Sequence, residues 1–98
     1  MYNTIMRFEW DEDKRQENLR KHGLDFEDAS ELFNGPRLVR HDTRFDYGED
    51  RFVAIGIAQN RVVVIVYVED DTHEVIRIIS MRKALNYERK RFEEHLSN

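Results

Sequence analysis

The sequence lacks several features that mark particular classes of protein. It has no cysteine, which excludes disulfide bridges and thiolate metal sites. Its longest apolar run, residues 62–68, is about one strand long and far too short to cross a bilayer. Residues 1–7 form a short, mixed stretch without the apolar run of a signal peptide. We therefore expect a soluble, cytoplasmic protein with no membrane partner.

Motifs for metals and nucleotides are also missing. The histidines show no H-x-x-x-H or H-x-H spacing, so a metal site would need distant residues to meet by folding. There is no glycine-rich phosphate loop and no G-x-S-x-G motif, which leaves nucleotide hydrolysis and serine esterase chemistry without support. We expect neither a metal site nor a cofactor.

Charge is abundant but unevenly distributed. The 98 residues suit a single domain, 1–98, and carry a net charge of −4. Residues 1–50 hold eight Lys/Arg and thirteen Asp/Glu, whereas residues 51–98 hold eight and seven. Between residues 76 and 92, one acid accompanies six basic residues: Arg77, Arg82, Lys83, Arg89, Lys90 and Arg91. This local excess suits phosphate groups, and it equally suits a solvated helix face.

The hydrophobic pattern predicts an α+β fold. A short strand at 8–10 precedes a helix capped by Asp11 and ended by Gly23, and Asp25 caps a second, shorter helix. Strands at 37–42, 51–58, 61–69 and 74–81 are joined by short turns, and a last helix runs from about 83 to 95. Packing is expected from Leu19 in the first helix and from Leu85, Phe92 and Leu96 in the last. The order β-α-α-β-β-β-β-α predicts an antiparallel sheet with two N-terminal helices and one C-terminal helix packed on it.

Three cations near the last strand are the strongest candidates for function. Arg77 interrupts an apolar run, where a guanidinium needs either an ion pair or an open groove. An ion pair with Glu49, Glu9 or Glu69 is one interpretation, and a phosphate clamp is the other. Arg82 and Lys83 stand at the predicted strand-to-helix junction, beside backbone N–H groups that attract anions.

Other polar residues have types suited to RNA chemistry. Glu49 and Arg51 flank a predicted turn at 46–50, where a carboxylate beside an arginine can serve as a general base. Tyr87 in the last helix can stack on a base or donate a proton, or it can be a half-buried core aromatic. Lys14 and Lys21 share one face of the first helix, and His22 lies at its edge. An RNA 2′-hydroxyl can attack the adjacent phosphate if a base, cations and an acid are supplied, and these residue types supply all three.

Four segments in order resemble the BrnT family, the toxin component of a type II toxin–antitoxin system. They are Phe8-Glu9-Trp10-Asp11 with Lys14 and Asn18; Lys21-His22-Gly23 with Phe26-Glu27-Asp28-Ala29; Gly48-Glu49-Asp50-Arg51; and Ile76 to Ala84 with Tyr87-Glu88-Arg89. The matching polar residues are Lys14, Lys21, His22, Glu49, Arg51, Arg77, Ser80, Arg82 and Lys83. This chain departs from the family at Asp70-Asp71, where an arginine is frequent, and at Met81, where alanine is usual.

The resemblance implies a RelE-like fold and a ribonuclease that stops translation. It also implies neutralisation by a BrnA-type antitoxin with a ribbon-helix-helix part, which would carry the complex to operator DNA. In the resulting hypothesis, Arg77 and Arg82 hold the scissile phosphate, Lys83 adds charge, and Glu49 or His22 is the base. RNA binding is expected from Lys14, Lys21, Arg51, Tyr87 and Arg89. The alternative is a non-enzymatic binding module, a degenerate toxin acting as antitoxin partner and corepressor, which the acidic N-terminal half and Asp70-Asp71 favour.

Overall fold

The computed structural model describes residues 6–44, 46 and 48–97. Its elements are β1 (Arg7–Glu9), α1 (Glu12–His22), a 3-10 helix (Phe26–Asp28), α2 (Ala29–Phe33), β2 (Arg37–Asp42), β3 (Arg51–Ala58), β4 (Arg61–Glu69), β5 (Val75–Lys83) and α3 (Asn86–Ser97). The α+β class and the order of elements are confirmed. No helix within these residues is long and apolar enough to cross a membrane.

The five strands form one mixed sheet in the order β1-β5-β4-β3-β2. Strands β2 to β5 make the expected antiparallel meander, whereas β1 lies parallel to β5 at the edge of the sheet. A tight turn between two strands shows that they are antiparallel. The Gln59-Asn60 turn between β3 and β4 is an example, with both φ angles near +60°. Because no such turn joins β1 to β5, the sequence pattern did not show the direction of β1, and the expected antiparallel sheet is a mixed one.

One side of the sheet is covered by α1, the 3-10 helix and α2. The apolar residues Phe26, Ala29, Leu32 and Phe33 of these helices are buried there. The caps are also as predicted, because Asp11 accepts backbone hydrogen bonds from residues 13 and 14, and Gly23 adopts a φ of +68°. The prediction for Leu19 is wrong, since its side chain is exposed and the neighbouring Asn18 is the buried residue of α1.

Among the described residues, α3 alone covers the other side of the sheet, which we call the α3 face. Phe92 packs there against Val53, Ile55 and Val64. Leu85 and Leu96 were predicted to pack as well, but they remain 54% and 47% exposed. The helix also begins later than predicted, at Asn86, because β5 continues to Lys83. One twelve-residue helix is too narrow to cover the sheet, so much of the α3 face stays open.

Candidate functional site

A β-bulge in β5 brings the two candidate arginines to the same face. Arg77 and Arg82 are five positions apart in the sequence, a spacing that would put them on opposite faces of a regular strand. The ladder is shifted at Ile79, so Arg77 pairs with Val68 and Arg82 pairs with Val64. Those two partners are four residues apart in β4, and Val64 packs under α3. Both arginines therefore lie on the α3 face.

Glu49 joins Arg77 to the loop between β2 and β3. Its Oε1 lies 2.6 Å from Nη2 of Arg77, and its Oε2 lies 3.3 Å from Nε of Arg51. All three side chains are partly exposed to solvent. Of the predicted turn, Asp46 accepts a hydrogen bond from the Gly48 N–H, while Tyr47 lies outside the described residues. The structure thus places one carboxylate between two guanidinium groups. Of the three acids considered as ion-pair partners of Arg77, it is Glu49 that makes the contact.

Arg82 is held by a carboxylate that the sequence reasoning did not single out. Glu88 is buried, and its oxygens accept hydrogen bonds from both terminal nitrogens of Arg82, at 2.8 and 2.9 Å. It also accepts from the N–H of Leu85 at the start of α3. The hydrogen bonds raise the pKa of Arg82 and lower that of Glu88. The guanidinium therefore keeps a fixed orientation at the foot of α3.

Further charged groups on the α3 face come from β2, and they too were missed. Arg40 pairs with Val53 in the ladder and is exposed, and its charge helps lower the pKa of Glu88. Beyond it, Arg44 makes a two-point contact with the buried carboxylate of Asp42, at 2.9 and 3.0 Å. The sequence does hold a signal for Arg40 and Asp42, because Leu38, Arg40 and Asp42 alternate along β2 and therefore share one face of the strand.

Lys14, Lys21 and His22 gather in a separate pocket. They line it together with Ile79 and Ser80 of β5. Ser80 pairs with Val66 of the α3 cluster, so this pocket adjoins the α3 face at the β5 edge of the sheet. The shared face of Lys14 and Lys21 is confirmed. His22, however, lies with these lysines, whereas Glu49 directly contacts Arg77.

Lys83 and Arg89 line another depression, at the opposite end of β5 from Arg77. Lys83 pairs with Val63, whose side chain belongs to the core on the other side of the sheet. Tyr87 is exposed at the start of α3, which rules out the interpretation as a half-buried core aromatic. Its closeness to Arg82 is evident from its contribution to the raised pKa of that arginine.

The last two candidates from the sequence are the tyrosine of β4 and a possible metal site. Tyr67 is buried in the core, and burial is the main cause that raises the pKa of its hydroxyl to about 12. In the described part of the chain, no three His, Cys, Asp or Glu side chains are grouped as metal ligands would be. The α3 face instead carries arginines, and Arg51, Arg77 and Arg82 are paired there with carboxylates. Guanidinium groups are suited to binding phosphate.

Comparisons with known proteins show which family the chain resembles. Residues 10–88 match the family model described as the ribonuclease toxin BrnT of a type II toxin–antitoxin system. The chain is also similar to the solved structure of the Brucella abortus ribonuclease toxin BrnT, with 36% sequence identity and a TM-score of 0.65. That similarity covers 83% of this chain and 99% of the Brucella protein. No curated protein sequence matches the chain.

Proposed function

This chain belongs to the BrnT family of ribonuclease toxins of type II toxin–antitoxin systems, and on that basis we propose that it is a metal-independent endoribonuclease that stops translation in the cytoplasm. The reaction begins when a base takes the proton of an RNA 2′-hydroxyl and the oxygen attacks the adjacent phosphorus. The bond from phosphorus to the 5′-oxygen then breaks, and that oxygen takes up a proton. The products carry a 2′,3′-cyclic phosphate and a 5′-hydroxyl, so atoms and charge balance without a metal.

The observation that carries this proposal is Glu49 held between Arg77 and Arg51 on an open sheet face. A carboxylate can take the 2′-hydroxyl proton, and guanidinium groups next to it can stabilise charge growing on the phosphate oxygens. A phosphate entering beside Glu49 would replace part of the Arg77–Glu49 pairing with a phosphate–guanidinium fork. This geometry favours Glu49 over His22 as the base.

The other predicted residues take supporting roles in the proposal. Arg82, oriented by Glu88, binds the scissile phosphate beside Arg77, and Lys83 adds positive charge farther along β5. The pocket of Lys14 and Lys21 adjoins the α3 face at the β5 edge, which suits it to a neighbouring backbone phosphate. Tyr87 and Arg89 are exposed beyond Arg82, where an RNA strand leaving the α3 face would meet them.

Family membership implies an antitoxin partner, and we propose one of the BrnA type. Its ribbon-helix-helix part would bring the toxin–antitoxin complex to operator DNA, so the toxin itself needs no DNA-binding surface. Under this proposal the free chain cleaves RNA, and the complex is inactive as a nuclease.

The test is induced expression combined with cleavage by the purified protein in EDTA. Arg77→Ala and Arg82→Ala should each relieve growth arrest and lower the cleavage rate by about 100-fold, the usual effect of removing a group that stabilises transition-state charge. Circular dichroism should show both variants folded. Arg20→Ala, which removes an exposed arginine of α1, is the matched control and should stay fully toxic. Full toxicity of both Arg77→Ala and Arg82→Ala would overturn the assignment.

One observation favours the alternative of a non-enzymatic partner and corepressor. Each of the two arginines assigned to the scissile phosphate is already bonded to a carboxylate, Arg77 to Glu49 and Arg82 to Glu88. A binding module would use these pairs only to fix the shape of the face. In that case the purified chain would not cleave RNA, with or without ribosomes, yet would still strengthen operator binding by the antitoxin in a mobility-shift assay.

A further inference from the structure

A partly apolar groove lies where β3, β4 and β5 meet the start of α3, away from Glu49. Its floor is made by Ile57, Val62 and Ala84, and its rim carries Arg61, Lys83 and Arg89. The groove has a volume of about 430 Å³. We call it the basic groove, because none of the residues that line it is acidic.

The apolar floor continues onto α3. Leu85 directly follows Ala84, and Leu96 shares a helix side with Arg89 and Phe92, since the spacings of three, four and seven residues recur on one side of a helix. Only Phe92 is buried against the sheet, while Leu85 and Leu96 stay about half exposed. Ile57 at the end of β3 is 41% exposed as well. Ile57 lines the groove and Leu85 directly follows the lining residue Ala84, and exposed aliphatic side chains in such places mark a surface for another protein chain.

Charge indicates what kind of segment fits. The chain as a whole carries a net charge of −4, so its net charge does not attract an acidic partner. Arg61, Lys83 and Arg89 create a local positive rim, which draws acidic groups to this place. Aliphatic floor residues suit the apolar side of an amphipathic segment. RNA fits less well, since no aromatic side chain lines the groove to stack on a base.

We propose that the basic groove binds an acidic, amphipathic segment of the antitoxin. The apolar side chains of that segment lie on Ile57, Val62 and Leu85, and its carboxylates meet Arg61, Lys83 and Arg89. Binding covers Lys83 and Arg89, the two groove residues that the proposed function gives to RNA. This last consequence rests on the proposed function, whereas the docking itself does not.

Calorimetric titration of the full chain with its operon-encoded antitoxin tests the docking directly. Ile57→Ser should weaken binding by about tenfold or more, because an anchor in an interface commonly contributes that much. Val39→Ser is the matched control, a β-branched strand residue of similar exposure, 44% against 41%, on another strand. Arg61→Glu should weaken binding as strongly, while Arg20→Glu on α1 should change it by less than about twofold. Thermal unfolding of each variant shows whether it is folded.

Each outcome separates this inference from the proposed function. Equal binding by all four variants, or no binding by the wild-type chain, overturns the groove as the docking surface. If Ile57→Ser and Arg61→Glu spare binding but lower RNA cleavage, the groove serves RNA and the inference is wrong. If Ile57→Ser instead dissociates a dimer of the free chain, the occupant is a second copy. Loss of antitoxin binding in a chain that never cleaved RNA supports the docking and rejects the nuclease.

Discussion

Asn18 of α1 hydrogen-bonds the backbone of β5 as a neighbouring strand would. Its amide oxygen accepts a hydrogen bond from the Met81 N–H, and its nitrogen donates to the carbonyls of Met81 and Leu24, at 2.9–3.1 Å. These bonds occupy the edge of β5 beyond the point where β1 ends. They also fix α1, and with it Lys14 and Lys21, beside the bulge at Ile79. A single buried amide therefore positions one wall of the candidate RNA surface.

Replacing Asn18 should lower the stability of the folded protein. We expect Asn18→Ala to lower the free energy of unfolding by about 1–3 kcal/mol, because backbone groups of Met81 and Leu24 lose buried partners. Asn18→Asp should be comparably destabilising despite its shape, since its second oxygen would face two carbonyl oxygens. Urea denaturation followed by fluorescence of Trp10 measures both. Asn34→Ala, at the exposed end of α2, is the control and should change stability little; full stability of Asn18→Asp would contradict the assigned hydrogen bonds.

Single residues were predictable where the controlling interaction is local. The capping roles of Asp11, Gly23 and Asp25 depend on backbone groups within three residues or so, and all three are confirmed. The prediction that Leu19 packs was wrong because it was based on helical periodicity, which applies where a helix is fixed by its apolar side chains. Here α1 is fixed by the polar Asn18, whose partner Met81 is 63 residues away. Nothing near Asn18 in the sequence indicates that contact.

At the scale of elements, Glu88 links α3 to β5. It bonds Arg82 at the end of the strand and the Leu85 N–H at the start of the helix. Because α3 buries only Glu88 and Phe92 among the residues of the helix, this ion pair supplies a large share of its attachment. The same contact orients the guanidinium proposed to hold phosphate, so the packing of α3 and the chemistry of the α3 face are coupled.

Glu88→Gln should be less stable than the wild type near neutral pH, by about 1–2 kcal/mol, since the buried pair is broken but Arg82 is partly solvated. The pKa of Glu88 is lowered in the folded protein from 4.5. Its stabilising effect is therefore complete above about 4.5 and is lost as the pH falls through the lower, folded value. The stability difference between variant and wild type should shrink accordingly in acid.

Chemical denaturation at several pH values measures that difference. Glu94→Gln, a neutralisation at an exposed position of the same helix, is the control for charge alone. It should match the wild type near neutral pH. A difference for Glu88→Gln that stays constant from neutral to acidic pH would show that the carboxylate is not titrating as assigned.

The elements of the sheet were predictable, but the faces of β5 were not. Alternating apolar residues and tight turns gave the bounds of β2 and β3 correctly. The bulge at Ile79 has no comparable signal, since no glycine or proline marks it and every residue around it suits a strand. Without the bulge, Arg77 and Arg82 would lie on opposite faces. The site therefore depends on a shift in strand pairing that only the folded sheet reveals.

For the whole molecule, charge placement matters more than net charge. The chain is acidic overall, yet Arg40, Arg51, Arg77 and Arg82 share the α3 face. RNA that approaches this face meets a local positive field, so binding should weaken as salt rises. Within the described residues, Arg40 makes no ion pair with a carboxylate at bonding distance, which makes it the best single probe of that field.

Arg40→Gln should lower RNA affinity and flatten its salt dependence. For single-stranded RNA, each phosphate contact contributes about −0.7 to the slope of log affinity against log salt concentration, so the slope should become smaller by about that amount. Fluorescence anisotropy with a labelled oligonucleotide, using a cleavage-deficient Arg77→Ala background, measures it. Arg20→Gln on α1 in the same background is the control. An unchanged slope for Arg40→Gln would remove β2 from the RNA surface.

The parallel contact between β1 and β5 has a consequence for when the protein becomes dangerous to its own cell. Arg7 pairs with Val75, and Glu9 pairs with Arg77, so the strand that precedes α1 pairs with the strand that precedes α3. A nascent chain emerging from the ribosome cannot make this pairing until β5 has been synthesised, because long-range strand pairing must wait for both partners. Arg77 and Arg82 of β5 therefore join Arg40 and Arg51 on the α3 face late in synthesis. The α3 face, with the ribonuclease site proposed on it, is therefore incomplete until β5 has emerged from the ribosome, and an antitoxin already present in the cell can bind the chain from that point on.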